Sequence, residues 1–171
     1  EILETFKKTL DNLSPDSTLF LNADDKGVLE LIKRIDKKDY ITYGINNNAC
    51  YQAKNIVFKD LMSEFDIYKK DEFLGKMKLI IPGVHNIYNA LSVVSVLDNL
   101  GFNFEDYKRF FEEFQGMKRR FQVIFDKEIK LVDDYAHHPG EIVSTINAIK
   151  DLKKRKVVIF QPHRYTRLKA L

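Results

Sequence analysis

Cysteine is nearly absent from this chain: 171 residues contain one, Cys50. A single thiol excludes an intramolecular disulfide and a thiolate metal cluster, and it fits a reducing, cytoplasmic compartment. Cys50 has no histidine near it in sequence and reads as a small apolar residue, not a nucleophile. No run of 18 apolar residues occurs, so no membrane-spanning helix is expected, and no secretory leader is recognisable. Charge of one sign is lacking too. The 28 basic and 25 acidic residues leave a net charge of +3, too little for the basic stripe of a nucleic-acid binder. Neither GxxxxGK(S/T) nor GxGxxG is present; Gly75-Lys76 lacks the preceding glycine and is followed by Met77. Internal repeats and low-complexity segments are also missing.

What is present is enough apolar material for a core, 44% of the residues. Apolar residues at 2, 3, 6, 10 and 13 have helical spacing. Residues 18–22 read as a strand, 24–35 as a helix and 40–44 as a second strand, an alternation that argues for a parallel sheet. Between 51 and 81 the pattern changes to short alternating runs, 51–58, 64–68 and 76–81, like an antiparallel meander. A long helix, 84–100, stops at Gly101, and 104–114 forms another. Its near-continuous apolar composition predicts that the 84–100 helix is buried all round. Past Gln115-Gly116-Met117 a new pattern starts: a hairpin-like pair at 121–125 and 129–132, a helix at 139–152 and a buried strand at 157–160. The chain divides at this point into 1–116 and 117–171. The second part, about 55 residues, is too short for a complete doubly wound domain. The chain opens on Glu1 without Met and closes inside a polar, basic stretch, so it is expected to be a piece of a longer protein.

Four segments crowd polar chemistry together. The first turn of the 84–100 helix carries His85, Asn86 and Asn89, which share a face. Asparagine donates and accepts, so this pair could read a heteroaromatic base edge; Asn86 could instead cap the helix. Lys118-Arg119-Arg120 offers guanidinium forks for phosphate oxygens, or is an exposed patch. Lys153-Lys154-Arg155-Lys156 reads as a solvated face. The densest segment is Asp133-Asp134-Tyr135-Ala136-His137-His138-Pro139, a strand-to-helix turn of the kind where open α/β sheets bind ligands. Asp134 could accept from ribose hydroxyls; Asp133 or Asp134 could alternatively cap the following helix. His137 or His138 could hold a carboxylate or move a proton. Adjacent histidines do not easily chelate one ion, and no HExxH spacing is present, so no metal site is expected here. The last segment is Phe160-Gln161-Pro162-His163-Arg164-Tyr165-Thr166-Arg167. Arg164 and Arg167 would share a helical face as an anion clamp. Both turns follow strands of one βαβ pattern, so Tyr135, His137, Arg164 and Arg167 are expected to line one pocket.

Taken together, "PGVHNIYNA" (82–90), "FQGMKRRF" (114–121), "VDDYAHHPGEI" (132–142) and "FQPHRYTR" (160–167) resemble the Mur ligases, ATP-dependent enzymes that build the peptide of bacterial cell-wall precursors. The resemblance covers essentially the whole chain. It implies an α/β fold: the back of the central ATP-binding domain (1–116), a mixed sheet with helices, then the start of a Rossmann-like, amino-acid-binding C-terminal domain (117–171). Arg164 and Arg167 are closest to the alanine-adding branch; a branch that recycles tripeptide shares the DD-aromatic-AHHP turn but not that exit.

By resemblance, His85, Asn86 and Asn89 sit at the adenine side of ATP, Arg120 at its phosphates and Asp134 at the ribose. Tyr135, His137, Arg164 and Arg167 hold L-alanine and the carboxylate region of UDP-N-acetylmuramate. Arg120 and His137 are the residues it places nearest the chemistry, phosphorylation of a carboxylate followed by attack of an amine. Magnesium is implied as a cofactor, with ligands upstream of Glu1, and the chain alone is expected to be inactive. Gly140 departs from the family, which usually has Thr there, and this predicts a looser helix start. No nucleic-acid or membrane partner is expected, and the chain is expected as a monomer or a homodimer. A non-catalytic nucleotide-binding module and a metal-dependent hydrolase are the readings from other classes.

Overall fold

The computed structural model describes residues 2–35 and 39–162. The elements run α1 (Ile2–Asp11), β1 (Leu19–Asn22), α2 (Lys26–Ile32), β2 (Tyr40–Gly44), β3 (Tyr51–Lys59), β4 (Met62–Lys69), β5 (Glu72–Leu79), α3 (Val84–Asn99), α4 (Phe104–Glu113), β6 (Gln122–Asp126), β7 (Lys130–Asp133) and α5 (Pro139–Ala148). The strands β1 to β5 form one sheet in chain order, and β6 and β7 form a separate two-stranded sheet. β1 and β2 are parallel, as are β2 and β3; β3, β4 and β5 are antiparallel. The sheet is therefore mixed, as the change of pattern at residue 51 implies.

Two periodicities in the sequence build the core. Tyr51 and Ala53, Phe65 and Ile67, and Met77 and Leu79 are alternate residues on β3, β4 and β5, and all are buried on one face. Ile87, Ala90, Leu91 and Val94 recur at helical spacing on α3 and are buried against that face. Phe104 and Tyr107 of α4 close the core over β5.

The close approach of α4 to the sheet depends on Gly75. A Cβ at that position would lie 2.2 Å from Cε1 of Phe104. Phe104 is itself buried, so its ring has nowhere to go. Gly75→Ala is expected to cost about 2 kcal/mol by overpacking, checked by urea denaturation.

Three expectations change. α2 is shorter than the predicted 24–35 helix because Asp25 caps it, accepting from Val28 N at 2.9 Å. α3 is buried along one stripe, not all round: Val84 and Val93 are each 46% exposed, because the sheet covers only one side. Residues 157–160 are not a buried strand. They pair with nothing among the described residues, and Ile159 is 93% exposed. An apolar strand is stable only when neighbours satisfy its backbone and cover its faces, and no described element does so. The predicted βαβ unit is thus present as β7 and α5, with residues 157–160 in no element.

Candidate functional site

Three stretches converge where the two units meet: the first turns of α3, the 116–121 connection, and the β7–α5 turn with the first turns of α5. Between them lies a cavity of about 630 Å³, within the usual range for a small-molecule site. Leu79, Ile81, Val93, Phe111 and Phe114 give it an apolar wall. All five residues named from the sequence for the nucleotide side, His85, Asn86, Asn89, Arg120 and Asp134, line it.

The first turn of α3 is shaped by Gly83, whose φ of +100° strains any residue with a side chain. The His85 ring packs over it, 2.6 Å from where a Cβ would stand. Nδ1 of His85 is buried and has no hydrogen-bond partner among the described residues, an orphan that a ligand group in the cavity could satisfy. Asn86 does not cap α3. Its Nδ2 donates to Pro82 O at 2.7 Å, and its Oδ1 accepts from Asn89 Nδ2 at 3.4 Å. The two asparagines are therefore held side by side at the cavity wall.

Burial holds the His85 pKa below the ordinary histidine value; the Asp134 carboxylate opposes the shift and Arg120 adds to it. A folded pKa below the unfolded one, about 6.5, gives stability that is complete above that pH and lost as pH falls through the window beneath it. The wild-type chain is expected to lose more stability between pH 7 and pH 5.5 than His85→Gln, checked by denaturation at both pH values.

The connection is left-handed at three positions, Gly116 (φ 85°), Arg119 (φ 59°) and Phe121 (φ 48°). Such conformations persist in non-glycine residues only where surrounding contacts enforce them, and the β7–α5 turn supplies those contacts. Tyr135 N donates to Arg119 O at 2.8 Å. Phe121 N donates to Asp134 Oδ2 at 3.0 Å. The Arg119 guanidinium lies 4.7 Å from the centre of the Tyr135 ring, and its Nε is 3.7 Å from Asp133 Oδ2. Arg120, one residue on, points the other way and lines the cavity.

Asp134 ties the corner together. Besides Phe121 N it accepts from Thr145 Oγ1 at 3.1 Å, both on Oδ2, and from Ala136 N at 2.7 Å on Oδ1. A carboxylate has about four acceptor sites, so one on Oδ1 remains for a ligand. Neither Asp133 nor Asp134 caps α5. That position belongs to His138, whose Nδ1 accepts from Gly140 N at 3.3 Å, while Glu141 reaches back to the His138 N–H at 3.2 Å. A capping box thus forms at the start of α5 with Gly140 in place; a Cβ there would meet only His138 Nδ1, at an ordinary 3.6 Å.

Tyr135 and His137 do not line the cavity. They form a separate pair on the same turn, rings in edge contact at 5.3 Å. Nδ1 of His137 is 3.0 Å from Tyr135 O. A carbonyl only accepts, so that nitrogen carries the hydrogen. Arg164 and Arg167 lie outside the described residues, so their expected meeting with this pair does too.

Glu141, Ser144 and Thr145 of α5 also line the cavity, and sequence reasoning did not single them out. Glu141 had a usable signal: it follows His138 by three residues, the spacing of a capping box. No group of three or more His, Cys, Asp or Glu able to hold a metal ion occurs among the described residues. No helix among them is long and apolar enough to cross a membrane.

An α/β unit with a mixed sheet and a second small α/β unit thus enclose a largely apolar cavity rimmed by polar side chains. The Mur ligase middle domain matches residues 1–97, and the "Mur ligase, glutamate ligase domain" matches 119–170. The chain belongs to the Mur ligase family. It is 43% identical over 169 residues to the UDP-N-acetylmuramate–L-alanine ligase of Dictyoglomus turgidum, covering 98% of this chain and 36% of that protein. It is 41% identical to the enzyme of the same name from Caldanaerobacter subterraneus subsp. tengcongensis, covering 99% of this chain and 37% of that one. Among solved structures it is similar to the UDP-N-acetylmuramate-alanine ligase of Thermotoga maritima, with a TM-score of 0.80, 29% identity, and coverage of 98% of this chain and 39% of that one. The chain thus spans just over a third of the length of these relatives.

Proposed function

We propose that this chain is part of an ATP-dependent ligase that joins L-alanine to the carboxylate of UDP-N-acetylmuramate in the cytoplasm, a step of peptidoglycan precursor synthesis. The observation that carries the reading is the convergence of His85, Asn86, Asn89, Arg120 and Asp134 on one cavity, in a chain whose 41–43% identical relatives bear that enzyme's name. Residues 1–116 act as the later part of the ATP-binding domain, and 117–171 as the beginning of the amino-acid-binding domain.

The cavity fits a nucleotide chemically. Its apolar wall suits a base, Asn86 and Asn89 offer paired donors and acceptors, and the remaining acceptor site of Asp134 suits a ribose hydroxyl. Arg120 supplies fixed positive charge where phosphoryl transfer spreads negative charge over phosphate oxygens. When bound, ATP activates the muramate carboxylate: a carboxylate oxygen takes the γ-phosphoryl group and ADP leaves. The amine of L-alanine then attacks the acyl carbon and phosphate departs. In this scheme Tyr135, His137, Arg164 and Arg167 hold the amino acid, and His137 moves a proton. The protein's share is mainly positioning. Magnesium is assigned to ligands in other parts of the protein.

The test is ligation by the full-length protein. With ATP, magnesium and UDP-N-acetylmuramate, it is expected to release phosphate on addition of L-alanine and to form the alanyl product, read by mass spectrometry. Phosphate release with the cell-wall tripeptide and not with L-alanine would assign it to the recycling branch. Stoichiometric nucleotide binding without turnover of either would mark a non-catalytic module.

A further inference from the structure

Glu141 makes contacts in two directions, and they divide cleanly between its two oxygens. Oε1 faces Arg120, 3.5 Å from its guanidinium. Oε2 accepts from the backbone N–H groups of His137 and His138 at 3.1 and 3.2 Å, and it lies 3.5 Å from Nδ1 of the His137 ring. Those backbone hydrogen bonds hold the Glu141 pKa below the usual carboxylate range, against a small opposing effect of burial, so the group is charged at neutral pH. One carboxylate therefore joins the cation at the cavity wall to the backbone that carries the Tyr135–His137 pair.

The Arg120 guanidinium is about half exposed. Glu141 is the acidic group in ion-pair range of it among the described residues. An unanchored arginine on a connection with left-handed residues on both sides samples many rotamers, and each must be given up on binding a phosphate. A fixed carboxylate at its side reduces that cost. We infer that Glu141 is a positioning residue: it orients Arg120 for an anionic phosphate group in the cavity and couples that cation to the His137–His138 turn on the amino-acid side. The inference rests on the nucleotide reading of the cavity given above.

A competing role is plain: Glu141 could do no more than cap α5. Glutamine separates the two. Glu141→Gln keeps an oxygen to accept from the His137 and His138 N–H groups, since glutamine also serves in capping boxes, but it removes the charge beside Arg120. The experiment uses the full-length protein and measures the Kd of ATP by calorimetry for wild type, Glu141→Gln, Arg120→Ala and the double variant, together with KM for L-alanine.

Glu141→Gln is expected to weaken ATP binding about threefold to fivefold, roughly the worth of one half-exposed ion pair. KM for L-alanine should stay within about twofold because the turn keeps its cap. Combined with Arg120→Ala, the glutamine should add nothing further, since a residue acting through Arg120 is silent once Arg120 is gone. An unchanged or tighter Kd in Glu141→Gln overturns the proposal, and so does a further loss of the same size in the double variant. Wild type that binds ATP but shows no alanine-dependent phosphate release removes the ligase reading alone; wild type that fails to bind ATP removes both.

Discussion

Asp24→Ala is expected to lower the unfolding free energy by about 4 kcal/mol. Asp24 follows β1 at the carboxyl end of the parallel strands, and its side chain organises the loop that leaves β2. Oδ2 accepts from Ile45 N at 2.6 Å, Asn46 N at 2.9 Å and Tyr88 Oη at 2.8 Å, and Oδ1 from Asn47 N at 2.7 Å. Tyr88 stands on α3 between Asn86 and Asn89, so the same carboxylate pins the helix that supplies the cavity wall. Alanine would leave three backbone donors and a phenol without their acceptor. Hydrogen bonds to a charged group are worth about 1.5–3 kcal/mol each and do not add fully. The Asp24→Asn variant should fall in between, because an amide oxygen accepts about two such bonds. Burial pushes the Asp24 pKa up, but these hydrogen bonds outweigh it and hold it below the usual value. The stabilisation is therefore present above the unfolded pKa of about 3.9 and lost as pH falls below it toward the folded one. Urea denaturation of wild type and both variants at pH 7 and pH 3.5 checks the magnitude and the sign; equal midpoints for wild type and Asp24→Ala at pH 7 would refute it.

Asp134→Ala is expected to cost about 3 kcal/mol of stability and, in the full-length protein, at least about a hundredfold in kcat/KM. Its carboxylate holds the start of β6 through Phe121 N, the β7–α5 turn through Ala136 N, and α5 through Thr145 Oγ1. Without it the left-handed Phe121, next to Arg120, loses its hydrogen bond to the β7–α5 turn. Asp134→Asn is the sharper probe. It keeps one accepting oxygen but sets an NH2 against donors on the other side, leaving at least one hydrogen bond unmade. Its stability loss should be smaller and its ligand defect similar, because the acceptor proposed for ribose and the anchoring acceptors belong to one group. Denaturation midpoints paired with ATP affinity separate the two effects. A variant that folds like wild type and binds ATP equally well would remove Asp134 from the site.

The secondary structure was legible because each segment buries one face and repeats at one period. Alternation at 51–53, 65–67 and 77–79 and helical spacing at 87–94 point to a single apolar layer, and the chain packs them into one. The strand predicted at 157–160 failed for the complementary reason. Four apolar residues record a preference for burial but say nothing about what covers them, and Ile159 is left almost wholly exposed. Propensity makes Asp133 or Asp134 an alternative cap for α5, but geometry places His138 at the helix start and directs Asp134 to the connection.

By itself the sequence determined how the candidate polar residues are grouped: His85, Asn86 and Asn89 at one helix start, Arg120 on the connection, Asp134, Tyr135 and His137 on one turn. Residue type and local spacing encode such groupings, because each lies within a single turn of chain. Only the tertiary structure decided which groups share a cavity. It separated the Tyr135–His137 pair from the five cavity residues and brought Glu141 between Arg120 and the turn. Those relations join segments some 20 to 50 residues apart, and packing of α3, the connection and α5 sets them, as no local pattern can.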